Sequence, residues 1–92
     1  MNVEILFQDK KSLEFSNVSC VTVTTQSGVI SIYPDHQDIQ TLLDDGYVEI
    51  EFENSNNSEV VSVNGGIISV LKNRVLIFIE QSSMSLNLNE RI

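Results

Sequence analysis

A chain of 92 residues is long enough for one domain and too short for two. Its apolar content of 41%, with no Ala or Trp and with many Val, Ile, Thr and Ser, indicates a folded domain that favours strands over helices. The net charge is −8, from 13 acidic and 5 scattered basic residues, which argues against binding to nucleic acid or to an anionic membrane surface. The longest apolar run, residues 75–79, is far too short to span a bilayer, and no direct lipid insertion is expected.

The first half of the chain alternates apolar and polar residues, a pattern that predicts strands with one buried face. Strands are predicted at residues 3–7, 13–15, 18–25 and 29–33. A structural turn at Pro34 opens the polar loop that ends the fourth strand. The apolar stretch at residues 39–43 fits either a further strand or one helical turn, and the strand is favoured.

The second half carries two glycine turn signals between its strands. Gly46 follows two aspartates, and glycine tolerates the positive φ of a tight turn while aspartate bonds its own backbone. Gly65 and Gly66 follow an asparagine and predict a second tight turn. Strands are predicted at residues 47–53, 60–63, 67–71 and 75–79, with one last edge strand within residues 81–92.

These pieces amount to about nine or ten short strands, with a turn signal roughly every 6–12 residues. We therefore predict an all-β fold, an antiparallel β-sandwich or flattened barrel in two layers. Residues 1–82 are expected to form this single domain, and residues 83–92 a short C-terminal tail.

Few residues have the spacing that catalysis or metal binding requires. His36 is the sole histidine, and the neighbouring Asp35 and Asp38 suggest an acid–base or metal site. A metal needs more ligands at fixed spacing, so a turn role is the better interpretation, and we predict no metal, no cofactor and no small-molecule substrate. Cys20 lies in a predicted strand as a buried structural thiol, and a single cysteine fits a reducing compartment.

The strand predicted at residues 75–79 is apolar on both faces. One face must fill the core, so Leu76 and Phe78 on the other face must lie under a loop or against a partner protein. A protein–protein adaptor that binds through these two side chains is one interpretation of the chain. A small enzyme that uses His36 is a less supported one, because no nucleophile motif accompanies the histidine.

Four segments of the chain occur in the order and at the spacing typical of one known family. They are GVISIYPDH at residues 28–36, DGYVEI at 45–50, VNGGIISV at 63–70 and NRVLI at 73–77. Together they resemble the N-terminal β-sandwich of the epsilon subunit of F-type ATP synthases, called delta in mitochondria, over residues 1–82. The departures from the family pattern are Ser31 and Asp35 in place of glycines, Gln37 and Asp38 in place of Ala-Pro, and Asn64 in place of Ser.

The resemblance implies a short form of this subunit. The family usually carries a C-terminal helical hairpin, whereas only eleven residues follow Gln81, too few for two packed helices. The departures after Pro34 imply a loop that differs in shape and charge from the loop of the family.

A role and a set of partners also follow from the resemblance. It implies a non-catalytic rotor subunit of the central stalk, which couples ion flow through the c-ring to the gamma shaft and to ATP synthesis. The subunit would be peripheral, as part of F1, at the cytoplasmic face of the membrane. By matching positions, the c-ring-facing loop would be Gln26, Ser27, Gly28 and Val29. The gamma-facing side chains would be His36, Ile39 and Leu42.

Overall fold

A computed structural model describes residues 1–81, so the predicted tail of residues 83–92 and most of the predicted last edge strand lie outside the described residues. The described strands are β1 Asn2–Phe7, β2 Ser12–Phe15, β3 Val18–Thr25, β4 Gly28–Ile32, β5 Ile39–Phe52, β6 Ser58–Leu71 and β7 Arg74–Ile79. The all-β prediction is confirmed. Across residues 1–81, no helix has the length and apolar character needed to cross a membrane.

The strands form one sheet in the order β2-β1-β7-β6-β5-β3-β4. Five of its six pairings are antiparallel, as predicted, but β1 and β7 are parallel, from Asn2 opposite Arg74 to Phe7 opposite Ile79. A parallel pair needs a long connection between its two strands, and here the whole intervening chain supplies it.

The sheet has fewer and longer strands than predicted, because two predicted turns lie inside strands. β5 and β6 each have 14 residues and pair in one unbroken register, from Ile39 opposite Val70 to Glu51 opposite Ser58. The turns predicted at Gly46 and at Gly65 and Gly66 fall in the middle of this pair, so those predictions are wrong. Positive φ angles at all three glycines, of 154°, 83° and 146°, bend the two strands there without reversing them.

This bend folds the sheet into two layers with a common core. The first layer contains β2, β1, β7 and the adjoining halves of β6 and β5, and the second contains the other halves together with β3 and β4. One hydrophobic cluster joins both layers, and its largest fully buried side chains are Ile5, Ile32, Ile50, Ile68 and Ile77. The two halves therefore pack face to face, which agrees with the predicted two-layer arrangement.

A side chain from beyond β7 supports the bend of β6. The backbone N–H of Asn64 donates to Oε1 of Gln81 at 3.2 Å, and Nε2 of Gln81 donates to the carbonyl oxygen of Ser62 at 3.2 Å. Only the second half of β6 pairs with β7, so the side-chain amide of Gln81 takes the place of a strand partner where that pairing ends.

Candidate docking surfaces

The loop between β4 and β5 is built on a β-turn at Pro34, as predicted. The backbone N–H of His36 donates to the carbonyl oxygen of Tyr33 at 3.1 Å, and Asp35 has a φ of 66°. A proline followed by a residue with positive φ is the pattern of a type II turn. Nδ1 of His36 lies 2.7 Å from the carbonyl oxygen of Gln37, so the ring bonds to the backbone of its own loop.

The two acidic residues beside His36 are used in hydrogen bonds between turns. Oδ1 of Asp38 accepts the backbone N–H of Lys72 at 3.1 Å, and Asp35 bonds to the side chain of Asn73. Within residues 1–81, no group of three or more His, Cys, Asp or Glu side chains lies together in a way that would hold a metal ion. The geometry of this loop therefore favours a structural role for its polar groups.

An exposed apolar row crosses four strands on the outer face of the first layer. Leu42 of β5 faces Ile67 of β6, Ile67 faces Phe78 of β7, and Phe78 faces Leu6 of β1. Leu42, Ile67 and Phe78 are 51%, 36% and 48% exposed, and Leu6 is half-buried. With strands about 4.8 Å apart, the row is roughly 14 Å long. Clustered apolar side chains that stay in water mark interaction surfaces, so we call these four residues the apolar row and treat it as a docking candidate.

The apolar row contains two of the residues that the sequence predicted as partner contacts and leaves out two others. Leu42 and Phe78 lie in it, whereas Leu76 is half-buried one row away, opposite Ser69. Ile39 packs against the core, because residues three apart in a strand point to opposite faces. Ile39 and Leu42 therefore do not belong to one docking face.

Two members of the row were missed from the sequence. Leu6 and Ile67 each occupy an outward position in an alternating strand, which is a signal that the sequence does contain. Their place beside Phe78 depends on the register of three strand pairings, which sequence alternation does not reveal.

The predicted c-ring-facing segment forms the tip of the β3–β4 hairpin. Gln26 and Ser27 make the two-residue turn, and Gly28 and Val29 begin β4. The hydroxyl of Thr25 donates to the carbonyl oxygen of Gly28 at 2.8 Å and accepts the backbone N–H of Ser27 at 3.1 Å. The tip is thus held in one shape by its own hydrogen bonds, while Val29 is left 69% exposed.

The single cysteine is buried, as predicted, but on the outer face of the second layer. Cys20 pairs with Glu51, and its Sγ lies 3.8 Å from Oγ1 of Thr22. The Cys20 side chain raises the pKa of Tyr33 above its ordinary value through hydrogen bonding and electrostatics, and desolvation and the Glu51 carboxylate add to the shift. Cys20 therefore lies beside β5 and outside the core cluster.

Comparison with known proteins assigns the fold to a family. The family model described as "ATP synthase, Delta/Epsilon chain, beta-sandwich domain" matches residues 1–84. The chain is 34% identical over 80 residues to the ATP synthase epsilon chain of Ruthia magnifica, an alignment that covers 87% of this chain and 56% of that protein. It is also 34% identical over 91 residues to the ATP synthase epsilon chain of Mycobacterium leprae (strain Br4923), covering 98% of this chain and 74% of the relative. The chain thus spans between about half and three quarters of the length of these curated relatives.

Solved structures agree with this assignment. A chain in the central stalk and c-ring structure of the Tetrahymena thermophila mitochondrial ATP synthase matches with a TM-score of 0.73 and 25% identity, over 88% of this chain and 63% of that one. A chain of the Euglena gracilis mitochondrial ATP synthase shares the fold, with a TM-score of 0.71 and 20% identity, over 84% of this chain and 48% of that one. With a family match that covers most of its length, this chain belongs to the delta/epsilon family of ATP synthase subunits, through their β-sandwich domain.

Proposed function

We propose that this chain is a non-catalytic subunit of the central stalk of an F-type ATP synthase, which transmits torque between the gamma subunit and the c-ring. The observation that carries the proposal is the match of residues 1–84 to the β-sandwich domain of the delta and epsilon chains. A bent sheet closed on a single apolar core is a stiff body, because packed interiors deform little under load. Such a body transmits force without any titrating or nucleophilic group, and the proposal includes no cofactor and no small-molecule substrate.

We assign the apolar row to the gamma subunit. Leu42 and Phe78 each leave about half of the side chain in water, and covering that surface would stabilise a complex by roughly 1 kcal/mol per residue. The row is continuous across four strands, so a single partner surface can cover all of it. His36 remains proposed as a second gamma contact from the turn at the end of β4.

We assign the tip of the β3–β4 hairpin to the c-ring. Gln26, Ser27 and exposed Val29 offer polar and small apolar contacts without a net charge, which suits a neutral polar loop as the partner. The tip is held by hydrogen bonds through Thr25, so little order has to be gained on binding. In this arrangement the subunit is peripheral to the membrane, at its cytoplasmic face, with residues 1–82 as the sandwich domain.

The experiment that tests the assignment compares matched charge substitutions on the two outer faces. Leu42→Asp is expected to weaken binding to purified gamma subunit more than tenfold, because it removes apolar contact and buries an unpaired carboxylate. Val60→Asp is the control, because Val60 is 48% exposed on the second layer. Both variants should unfold at the same urea concentration as the parent chain. Binding is measured by surface plasmon resonance on immobilised gamma.

Three outcomes decide the proposal. The proposal is supported if gamma and the c-ring both retain the parent chain and only Leu42→Asp loses binding to gamma. Equal weakening by Leu42→Asp and Val60→Asp contradicts the assignment of the apolar row to gamma. If neither gamma nor the c-ring retains the parent chain, the stalk role is wrong and an adaptor that binds another protein through Phe78 becomes the better interpretation.

A further inference from the structure

Side-chain hydrogen bonds join two turns at the end of the first layer. The backbone N–H of Asp35 donates to Oδ1 of Asn73 at 2.7 Å, and Nδ2 of Asn73 donates back to Oδ1 of Asp35 at 3.3 Å. A third bond runs from the backbone N–H of Lys72 to Oδ1 of Asp38 at 3.1 Å. The loop that carries His36 and the β6–β7 turn are therefore linked by three bonds, although they are more than 30 residues apart in sequence.

Asp35 needs this support because of its backbone conformation. Its φ of 66° is in the left-handed region, which glycine adopts freely and which only a few other residues, including Asp and Asn, tolerate. Residue 35 is the third position of a turn that requires this φ. The amide of Asn73 bonds both the backbone and the carboxylate of Asp35 in that conformation, and so favours it over the alternatives open to a free loop.

Asn73 is itself suited to hold this position. It has a φ of 66° and lies with Lys72, whose φ is 48°, in the two-residue turn between β6 and β7. Paired strands on both sides of that turn fix its place. The carbonyl oxygen of Asn73 also accepts the backbone N–H of Asn2 at 3.2 Å, so the start of β1 fixes it further.

We propose that Asn73 is a positioning residue for the turn that carries His36, so that this turn and the β6–β7 turn form one docking element. We call the pair of turns, residues 33–38 and 72–73, the clasp. The docking part of this inference rests on the proposed function, because His36 is proposed to contact gamma. The clasp brings the turn that carries His36 and the turn that carries Lys72 together at one end of the sandwich, so a partner at this end meets both turns.

The first test measures whether Asn73 holds the turn. In Asn73→Gly, which removes the side chain but tolerates the φ of 66° at residue 73, the backbone N–H of Asp35 loses its acceptor. Its hydrogen exchange, followed by NMR, should become about fivefold faster. The double variant Asp35→Asn with Asn73→Asp exchanges the two side chains and keeps both hydrogen bonds, so it should restore the parent rate. The amide of buried Ile77 should exchange at the parent rate in all variants, which separates a local effect from global unfolding.

The second test measures docking. Affinity for immobilised gamma should fall about fivefold in Asn73→Gly and return in the double variant, with unchanged urea midpoints. An Asp35 exchange rate that does not change in Asn73→Gly, or does not recover in the double variant, overturns the positioning role. A changed exchange rate with unchanged affinity overturns the docking role. If the parent chain does not bind gamma at all, the proposed function fails, and the exchange measurements still decide the clasp.

Discussion

Replacing Gly66 by alanine tests whether the bend of β6 is a requirement of the fold. Gly66 has a φ of 146°, and an added Cβ would collide with the carbonyl oxygen of Phe78 in the neighbouring strand. The positive φ costs an alanine about 1–3 kcal/mol, and forcing the two strands apart adds about 1–3 kcal/mol. We expect Gly66→Ala to lower the free energy of unfolding by about 2–6 kcal/mol, a large part of the 5–15 kcal/mol that is typical of small domains.

Two other glycines provide matched controls. Gly28 has a φ of 121°, but a Cβ there would meet no atom within 4 Å, so Gly28→Ala carries only the conformational cost. Gly46 has a φ of 154°, and its added Cβ would lie 3.0 Å from Oγ1 and 3.2 Å from Cβ of Thr24, a tight contact but no collision with a backbone carbonyl. The expected order of destabilisation is therefore Gly66→Ala, then Gly46→Ala, then Gly28→Ala.

Urea unfolding followed by far-UV circular dichroism gives the free energy of unfolding for each variant, and thermal melts rank any variant that is partly unfolded in water. The slope of the transition should be the same for all folded variants, because the surface exposed on unfolding does not change. A Gly66→Ala variant that is no less stable than Gly28→Ala would refute the close approach of β6 and β7 at Phe78, and with it the bend.

Two further predictions concern single side chains outside the core. Gln81→Ala should speed hydrogen exchange at the amide of Asn64 several-fold, whereas Gln81→Glu, which keeps the accepting oxygen, should not, and equal rates in the two variants would contradict the bond. In a Tyr47→Phe background, absorbance at high pH should show Tyr33 ionising above its ordinary pKa of 10.0, and Cys20→Ala should lower that pKa. Because the folded pKa is raised, the interactions of the protonated Tyr33 hydroxyl stabilise the protein below pH 10.0, and their contribution is lost as the pH rises through the raised pKa.

The predicted and observed structures agree best where one strand face is buried. Alternation along residues 47–53 predicted that Val48 and Ile50 face inward and Glu49 outward, and Val48 and Ile50 are fully buried. This information is local, because successive side chains of a strand point to opposite faces whatever the strand pairs with. The same rule places Ile39 and Leu42 on opposite faces of β5, because they are three residues apart.

The turn predictions show where the local sequence alone is not sufficient to assign the backbone structure. Pro34 predicted a turn that is present, while Gly46 and Gly65 predicted turns where the chain only bends. Glycine at positive φ serves a hairpin turn and a bend within a long strand equally well. The choice between them is made by the partner strand, and β5 and β6 continue to pair through the bend.

The sequence by itself determined the all-β class, the inward and outward residues of the regularly alternating strands, and, through its ordered motifs, the family. Only the tertiary structure decided which outward residues are neighbours. Leu6 and Phe78 lie side by side because β1 and β7, from opposite ends of the described chain, pair in parallel. Asp35 is hydrogen-bonded to Asn73, which lies 38 residues further along the chain. Such contacts depend on the register of strands far apart in sequence, and alternation within a single strand contains no information about that register.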